Sequence, residues 1–135
     1  MPPEVYLVDS SALWRIQRDA TVQERWRPAI EAGEVGSCGP QRIELLRSAR
    51  NVTEFEEMGR DLALHYPDVP VPKSIWRWAD AAQHALVRAG TIRAFSLVDL
   101  LVCGIAAQNG RVVLHDDRDF ETAAQHLSDV RHRRV

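Results

Sequence analysis

Two short runs along the chain are apolar almost without a break and are closed by acids. Val5-Tyr6-Leu7-Val8 ends at Asp9, and Arg111-Val112-Val113-Leu114-His115 ends at Asp116-Asp117-Arg118-Asp119. Runs that are this short, rich in β-branched residues and free of alternation predict strands buried on both faces. Val35 to Cys38 predicts a further short strand, and Val130 to Val135 one at a sheet edge. Between these runs the apolar positions recur at spacings of three and four, the helical period. Ser10 or Ser11 is placed to cap a helix carrying Leu13, Trp14 and Ile16, and a second from about Thr21 carries Val22, Trp26 and Ile30 as far as Gly33. Gly39-Pro40 opens a third, with proline at a tolerated first position, and Glu44 falls in its second turn. Thr53 to about His65 sets Phe55, Met58, Leu62 and His65 on one face, and the prolines from Pro67 to Pro72 break that pattern. A helix from about Ser74 to Gly90 carries Ile75, Trp78, Ala82, Ala85 and Leu86. Ser96 caps another from Leu97 to about Gln108 that is apolar around most of its circumference. Asn109-Gly110 turns the chain into the second acid-terminated strand, and a last short helix is expected from Phe120 to Leu127. Trp76 and Trp78 are two apart and cannot share a helix face, so one is expected in the core and the other outside it. Strands alternating with helices predict an α/β domain with a mainly parallel sheet and crossover helices.

Composition narrows the class. The 135 residues, 45% hydrophobic and 27% charged, suit a single domain spanning 1–135. No stretch approaches the ~18 consecutive apolar residues of a membrane span. The opening MPPEVYLVD has no basic segment ahead of its apolar run, which is not the layout of a secretory signal, and a cytoplasmic location is expected. Cys38 and Cys103 stand far apart, without zinc spacing, and read as buried thiols. Lys+Arg 17 against Asp+Glu 19 gives a net charge of −2, which argues against a broadly basic nucleic-acid binder. Only Lys73 is a lysine; the remaining cations are arginines, whose planar fork suits phosphate, although codon bias toward GC gives the same excess.

The acids carry the candidate chemistry. In open α/β sheets the functional crevice lies outside the C-terminal ends of the strands, where Asp9 and the Asp116 to Asp119 cluster fall. Glu44 in RIELL and Asp99 in SLVDLLVCGIAA are lone carboxylates among apolar neighbours. Each has an ordinary explanation alone: Asp9 as a helix cap, Glu44 as an exposed face residue, Asp99 as a partner of its helix dipole, the later cluster as turn chemistry. Together they favour a shared role. Gathered carboxylates repel one another, a divalent cation removes that penalty, and oxygen ligands alone suit Mg²⁺ or Mn²⁺ rather than zinc. Such an ion binds substrate phosphates and orients an attacking water, the chemistry of phosphodiester hydrolysis.

VDSSAL, IELLR, GTIRAFSLVDLLVCGIAAQNG and VVLHDDRDFETAA together span most of the chain, and in this order they resemble PIN-domain ribonucleases of the VapC toxin type. The resemblance implies a PIN-like fold with helices on both faces of a parallel sheet. It also implies a metal-dependent endoribonuclease, a toxin neutralised by a cognate VapB-type antitoxin. Carried over by position, Asp9, Glu44, Asp99 and Asp117 become the catalytic, metal-binding acids, with Asp119 a near neighbour able to ligate directly or through water. Ser11 matches a small hydroxyl that supports the first acid. The doubled Asp116-Asp117 leaves the fourth ligand open: adjacent side chains point apart, Asp117 is favoured, and Asp119 stands ahead of Asp116. His115 reads as structural, with a general base as the alternative. Arg93, Arg118, Arg131, Arg133 and Arg134 are candidate contacts to RNA phosphates against a reading as solvated surface charge. The helices between Thr21 and His65 are the expected antitoxin groove, and homodimers are common in such proteins.

Two other classes compete. A non-catalytic protein-binding module with structural acids is separated from the nuclease by metal-dependent RNA cleavage. An aspartyl-phosphate protein fits poorly, because Lys73 sits near a helix start and position 11 is serine rather than a second acid.

Overall fold

Residue alternation within the strands explains how one sheet holds two cores. In the computed structural model, which describes residues 3–135, Leu7 and Val113 face one side of the sheet, and Tyr6, Val8, Val112 and Leu114 the other. Both sides are covered, so neither strand carries a polar face. Met1 and Pro2, part of the N-terminal stretch read above, lie outside the described residues.

The sheet has four strands, β1 (Tyr6–Val8), β2 (Val35–Gly36), β3 (Val112–His115) and β4 (His132–Arg134), all parallel in the order β2-β1-β3-β4. Tyr6 pairs with Val112 and Val8 with Leu114, which brings the two acid-terminated strands side by side at the centre. Helices α1 (Ser10–Arg18) and α2 (Ala20–Glu31) connect β1 to β2. Helices α3 (Gly39–Leu46), α4 (Val52–His65), α5 (Ile75–Arg88) and α6 (Leu97–Gln108) return the chain to β3, and α7 (Arg118–Ala124) leads to β4. The buried residues of α1, α2 and α4 pack with Tyr6, Val8, Val112 and Leu114. Those of α5, α6 and α7 pack with Leu7 and Val113 on the opposite face.

The expected architecture is present, with corrections at element ends. Asp9 caps α1, the ordinary role weighed for it above, and Ser10 and Ser11 do not: its side chain accepts the Ser11 N–H. Asp19 caps α2 in the same way. The second strand in chain order stops at Gly36, because Ser37 exchanges backbone hydrogen bonds with the Pro67 and Val69 backbone instead of continuing along β1. Ser74 makes no side-chain cap and instead accepts from Gln108 Nε2 at 2.8 Å. Phe55 is 50% exposed and His65 is exposed, so the buried face of α4 is narrower than the spacing suggested. The last helix begins at Arg118, two residues earlier than expected, because Asp117 accepts the Asp119 N–H as its cap. Cys38 and Cys103 are buried free thiols. Trp78 is half-buried and donates to Asp129 at 2.7 Å, and Trp76 is 61% exposed. Among the described residues no helix is long and apolar enough to cross a membrane.

Candidate active site

The acid-terminated ends of β1 and β3 lie side by side. The backbone N–H of Asp9 donates to Leu114 O at 2.9 Å, one step beyond the strand pairing, and thereby fixes the first acid beside the second strand end. Asp9 is buried. Its Oδ2 accepts the Ser11 hydroxyl at 2.6 Å and the Ser11 N–H at 3.0 Å, while its Oδ1 is buried with no hydrogen-bond partner. Burial pushes the Asp9 carboxyl above its ordinary range despite the Ser11 bonds, and the charge of Asp117 adds to the rise.

Ser11 also ties the strand ends together, because its Oγ accepts the Asp116 N–H at 2.9 Å. One hydroxyl therefore serves Asp9 as donor and the β3 end as acceptor, using both of its capacities. The doubled acid then divides. Asp116 turns toward arginines: Arg134 Nη1 at 3.1 Å, Arg15 Nη1 at 3.5 Å and Arg18 Nη2 at 3.7 Å. Asp117 stays at the head of α7 as its cap, where its charge raises the pKa of both Asp9 and Asp119.

Asp99 is the third residue of α6 and forms a reciprocal capping box with Ser96: the Asp99 N–H donates to Ser96 Oγ at 3.1 Å and the Ser96 N–H to Asp99 Oδ2 at 3.2 Å. Its carboxyl is pushed up to about 6, first by burial and further by the charges of Asp9 and Glu44. Glu44 reaches the same region from the second turn of α3. Burial raises its pKa, Asp9 raises it further, and a hydrogen bond from Ser10 works the other way. Asp9, Glu44 and Asp99 thus lie within electrostatic reach of one another and Asp117 within reach of Asp9, although among the described residues no three His, Cys, Asp or Glu side chains are gathered as a ready-made metal cage.

His115 is fully buried, and both ring nitrogens are engaged. Nδ1 accepts the Asp117 N–H at 3.2 Å, which leaves the proton on Nε2, 3.0 Å from His132 Nδ1. Burial and the neighbouring His132 and Arg134 lower its pKa to about 4, so at neutral pH the ring is an uncharged brace under the Asp117 turn. The candidate RNA contacts separate by partner. Arg131 donates to Gly110 O at 3.1 Å, and Arg133 is held by Glu4 and by the Tyr6 hydroxyl at 2.8 Å, toward the start of β1. Arg134 is paired with Asp116 and Glu121. Arg93, in the single turn Ile92–Ala94, and Arg118 are exposed and form no ion pair among the described residues.

Residues 6–125 match the PIN domain family. The chain belongs to the PIN-domain family. Within it, the chain stands with the VapC ribonucleases: it is 62% identical over 101 residues to Ribonuclease VapC6 of Mycobacterium tuberculosis, covering 75% of this chain and 80% of the relative. Ribonuclease VapC21 of the same species is 36% identical over 121 residues, covering 88% and 86%. Among solved structures, VapBC2 from Rickettsia felis bound to a DNA fragment from its promoter superposes with a TM-score of 0.78 at 9% identity, covering 96% of this chain and 98% of that one. DNA-bound VapBC from Salmonella typhimurium gives 0.75 at 14% identity, covering 98% of both. At such identities these two structures speak to the fold alone.

One polar group of this PIN domain was not singled out from the sequence. Gln41 is fully buried in α3, one turn before Glu44, with its Nε2 3.4 Å from Ser10 Oγ. The only signal was a glutamine three residues ahead of the acid, on the same helix face.

Proposed function

We propose that this PIN domain is an endoribonuclease that hydrolyses RNA phosphodiester bonds with Mg²⁺ or Mn²⁺ at the acidic crevice, and that a VapB-type antitoxin neutralises it. The observation that carries the reading is Asp9 Oδ1, a carboxylate oxygen buried without a partner on an acid whose charge raises the pKa of Glu44 and Asp99 and whose own pKa Asp117 raises. A buried acceptor left open is costly, by about 1–3 kcal/mol or more for a charged group, and a cation relieves it. The donors are oxygens alone, which suits a hard divalent ion. Asp9, Glu44, Asp99 and Asp117 would hold it, with Asp119 adjacent; when bound, the ion supplies charge neutralisation and polarises the scissile phosphate.

The chain's own residues have distinct tasks. Ser11 keeps Asp9 oriented by occupying Oδ2, which leaves Oδ1 as the free donor. Asp99 and Glu44, whose pKa values are raised, bind a cation in their ionised form, so a bound cation lowers those pKa values again. Of the candidate arginines, Arg118 and Arg93 form no ion pair among the described residues and are open to RNA phosphates; Arg131, Arg133 and Arg134 must first leave their present partners. For the antitoxin, α1, α3 and α4 offer exposed apolar side chains: Trp14, Ile43, Val52, Phe55 and Leu64. Trp14 also lines a cavity of about 220 Å³, together with Leu13, Leu45, Met58 and Leu62 among others. An amphipathic helix or strand of a partner would cover such a surface.

The test is incubation of the purified chain with total RNA in Mg²⁺, Mn²⁺ or EDTA, beside Asp9→Asn and Asp99→Asn, with the cut ends mapped. Discrete cleavage that requires metal and is lost in both variants supports the reading. Cleavage that persists in EDTA overturns metal dependence, and loss of both metal binding and cleavage leaves a protein-binding module.

A further inference from the structure

We propose that Arg15 and Arg18 form a clamp for an RNA phosphate at the edge of the acidic crevice, and that Asp116 is the residue that positions them; the proposal rests on the reading of that crevice as a ribonuclease site. Asp116 directly precedes Asp117, yet its carboxylate meets only arginines among the described residues. Its Oδ1 accepts from Arg134 Nη1 at 3.1 Å, and Arg134 is held in turn by Glu121. That leaves Oδ2 for α1, with Arg15 Nη1 at 3.5 Å and Arg18 Nη2 at 3.7 Å. Both arginines belong to the end of α1, three residues apart and therefore on one face. Long helical side chains lean toward the N-terminus of their helix, here the end at which Asp9 and Ser10 stand. The tie to the crevice is short: Ser11 Oγ accepts the Asp116 N–H at 2.9 Å and donates to Asp9 Oδ2 at 2.6 Å.

An ordinary role at a helix end accounts for part of this. Cations in the last turn of α1 suit its dipole, and Arg15 has a partner of its own in Asp19 at 3.2 Å. Neither explains why Asp116 faces both. Stability is not the reason, since the Arg15 and Arg18 side chains are 40% and 64% exposed, and pairs so open to water contribute little. What the arrangement leaves is donors. A guanidinium carries five N–H groups. Arg15 Nη2 and Arg18 Nε and Nη1 have no hydrogen-bond partner among the described residues, and at 3.7 Å Arg18 is attracted to Asp116 without a hydrogen bond. Two exposed planar forks with open donors, brought to one point, match the two free oxygens of a phosphodiester. A crevice lined by acids repels RNA, so a strand laid across it needs fixed cations at the edge. Asp116 supplies the fixing: it draws the guanidiniums in without saturating them.

The experiment measures binding of a short labelled single-stranded RNA of mixed sequence by fluorescence anisotropy, in EDTA and across a range of salt. The full-length parent is compared with the Arg15→Gln/Arg18→Gln pair, Asp116→Asn and Asp116→Glu; calorimetry gives the Mn²⁺ affinity of each without RNA, beside Asp117→Asn. A phosphate contact on a single strand steepens the dependence of log K on log salt by about 0.7. The arginine pair is expected to lose about that much slope and to bind RNA severalfold more weakly. Asp116→Asn is expected to weaken RNA binding too, although it removes a negative charge, and Asp116→Glu to recover most of the loss. Mn²⁺ affinity should stay at the parent's value in Asp116→Asn and fall in Asp117→Asn. Tighter RNA binding by Asp116→Asn would reduce Asp116 to a repelling charge, and a parent-like slope in the arginine pair would remove the clamp. A loss of Mn²⁺ in Asp116→Asn equal to that in Asp117→Asn would make Asp116 a ligand. Each of these overturns the proposal, as does a parent that binds no RNA. A parent that binds RNA but no Mn²⁺ takes down the metal reading on its own account, and the slopes still decide the clamp.

Discussion

Asp99 and His115 set opposing pH responses. Folding raises the Asp99 pKa from 3.8 to about 6, so in that window the folded chain holds a proton the unfolded chain has lost; the stability it contributes is present near pH 4 and is lost as pH rises toward 6. His115 moves the other way, from 6.5 to about 4, so stability is lost as pH falls through the same window because the unfolded chain takes up the proton first. Asp99→Asn removes the first effect and keeps the second. We expect its stability optimum to shift to higher pH, with a gain on the order of 1 kcal/mol near neutrality, since partial contact with water screens much of the shift. Urea midpoints in EDTA across this range check it; an unchanged profile would mean that Asp99 is not destabilised by folding. Ser11→Ala tests the neighbouring link. It removes the 2.6 Å bond to Asp9 and leaves the Asp116 N–H without its 2.9 Å acceptor, so a loss of about 1–3 kcal/mol is expected, together with weaker Mn²⁺ binding. Equal stability of parent and variant in urea would show that water replaces the hydroxyl at no cost.

At the level of elements, α6 carries Asp99 and is positioned by its contact with α5. Gly104 is the point of closest approach: a Cβ there would meet Trp78 Cε3 at 2.6 Å and Ile75 Cδ1 at 2.8 Å. Gly104→Ala gains helix propensity but forces the two helices apart, and overpacking of this kind destabilises by about 1–3 kcal/mol. The expected result is a lower melting temperature, restored in part by Trp78→Leu on the Gly104→Ala background; a rise in melting temperature with Gly104→Ala alone would refute the close packing. That contact was invisible in sequence, because a glycine in an apolar helix reads the same whether it faces a tryptophan or open space. Periodicity did reveal the strands, most helix spans and the sidedness of α5, since burial on both sheet faces imposes unbroken apolar runs. It misjudged α1 and α7 at their first residues. There the acids serve twice, Asp9 and Asp117 each capping a helix while standing in the crevice, and a capping serine and a capping aspartate leave the same polar mark. Gln41 was missed for the converse reason: a glutamine beside charged neighbours on a short helix looks solvent-facing until the packing of α1 and α3 encloses it.

For the molecule as a whole, the fold gathers acids from four separate elements at one end of the sheet, and each of Asp9, Glu44 and Asp99 holds its proton more tightly there than in an unfolded chain. Assembly of the crevice is therefore in part a cost of folding, and a ligand that binds only the folded crevice returns it as stability. With Mn²⁺ at 100 times its dissociation constant the gain is about 2.7 kcal/mol, which for a domain of this size is roughly 8–12 °C in melting temperature. Asp9→Asn should leave the fold intact, since the amide oxygen still accepts the Ser11 N–H, yet it replaces the charged oxygen that has no other partner. The metal-induced shift should then shrink to a small fraction of the parent's. Raising salt should not reproduce it, because screening acts weakly on a buried carboxylate. Melting curves of both proteins in EDTA, Mn²⁺ and matched ionic strength separate the cases. Shifts that are equal in parent and Asp9→Asn would place the ion away from the crevice, and a shift matched by monovalent salt would reduce it to general charge screening.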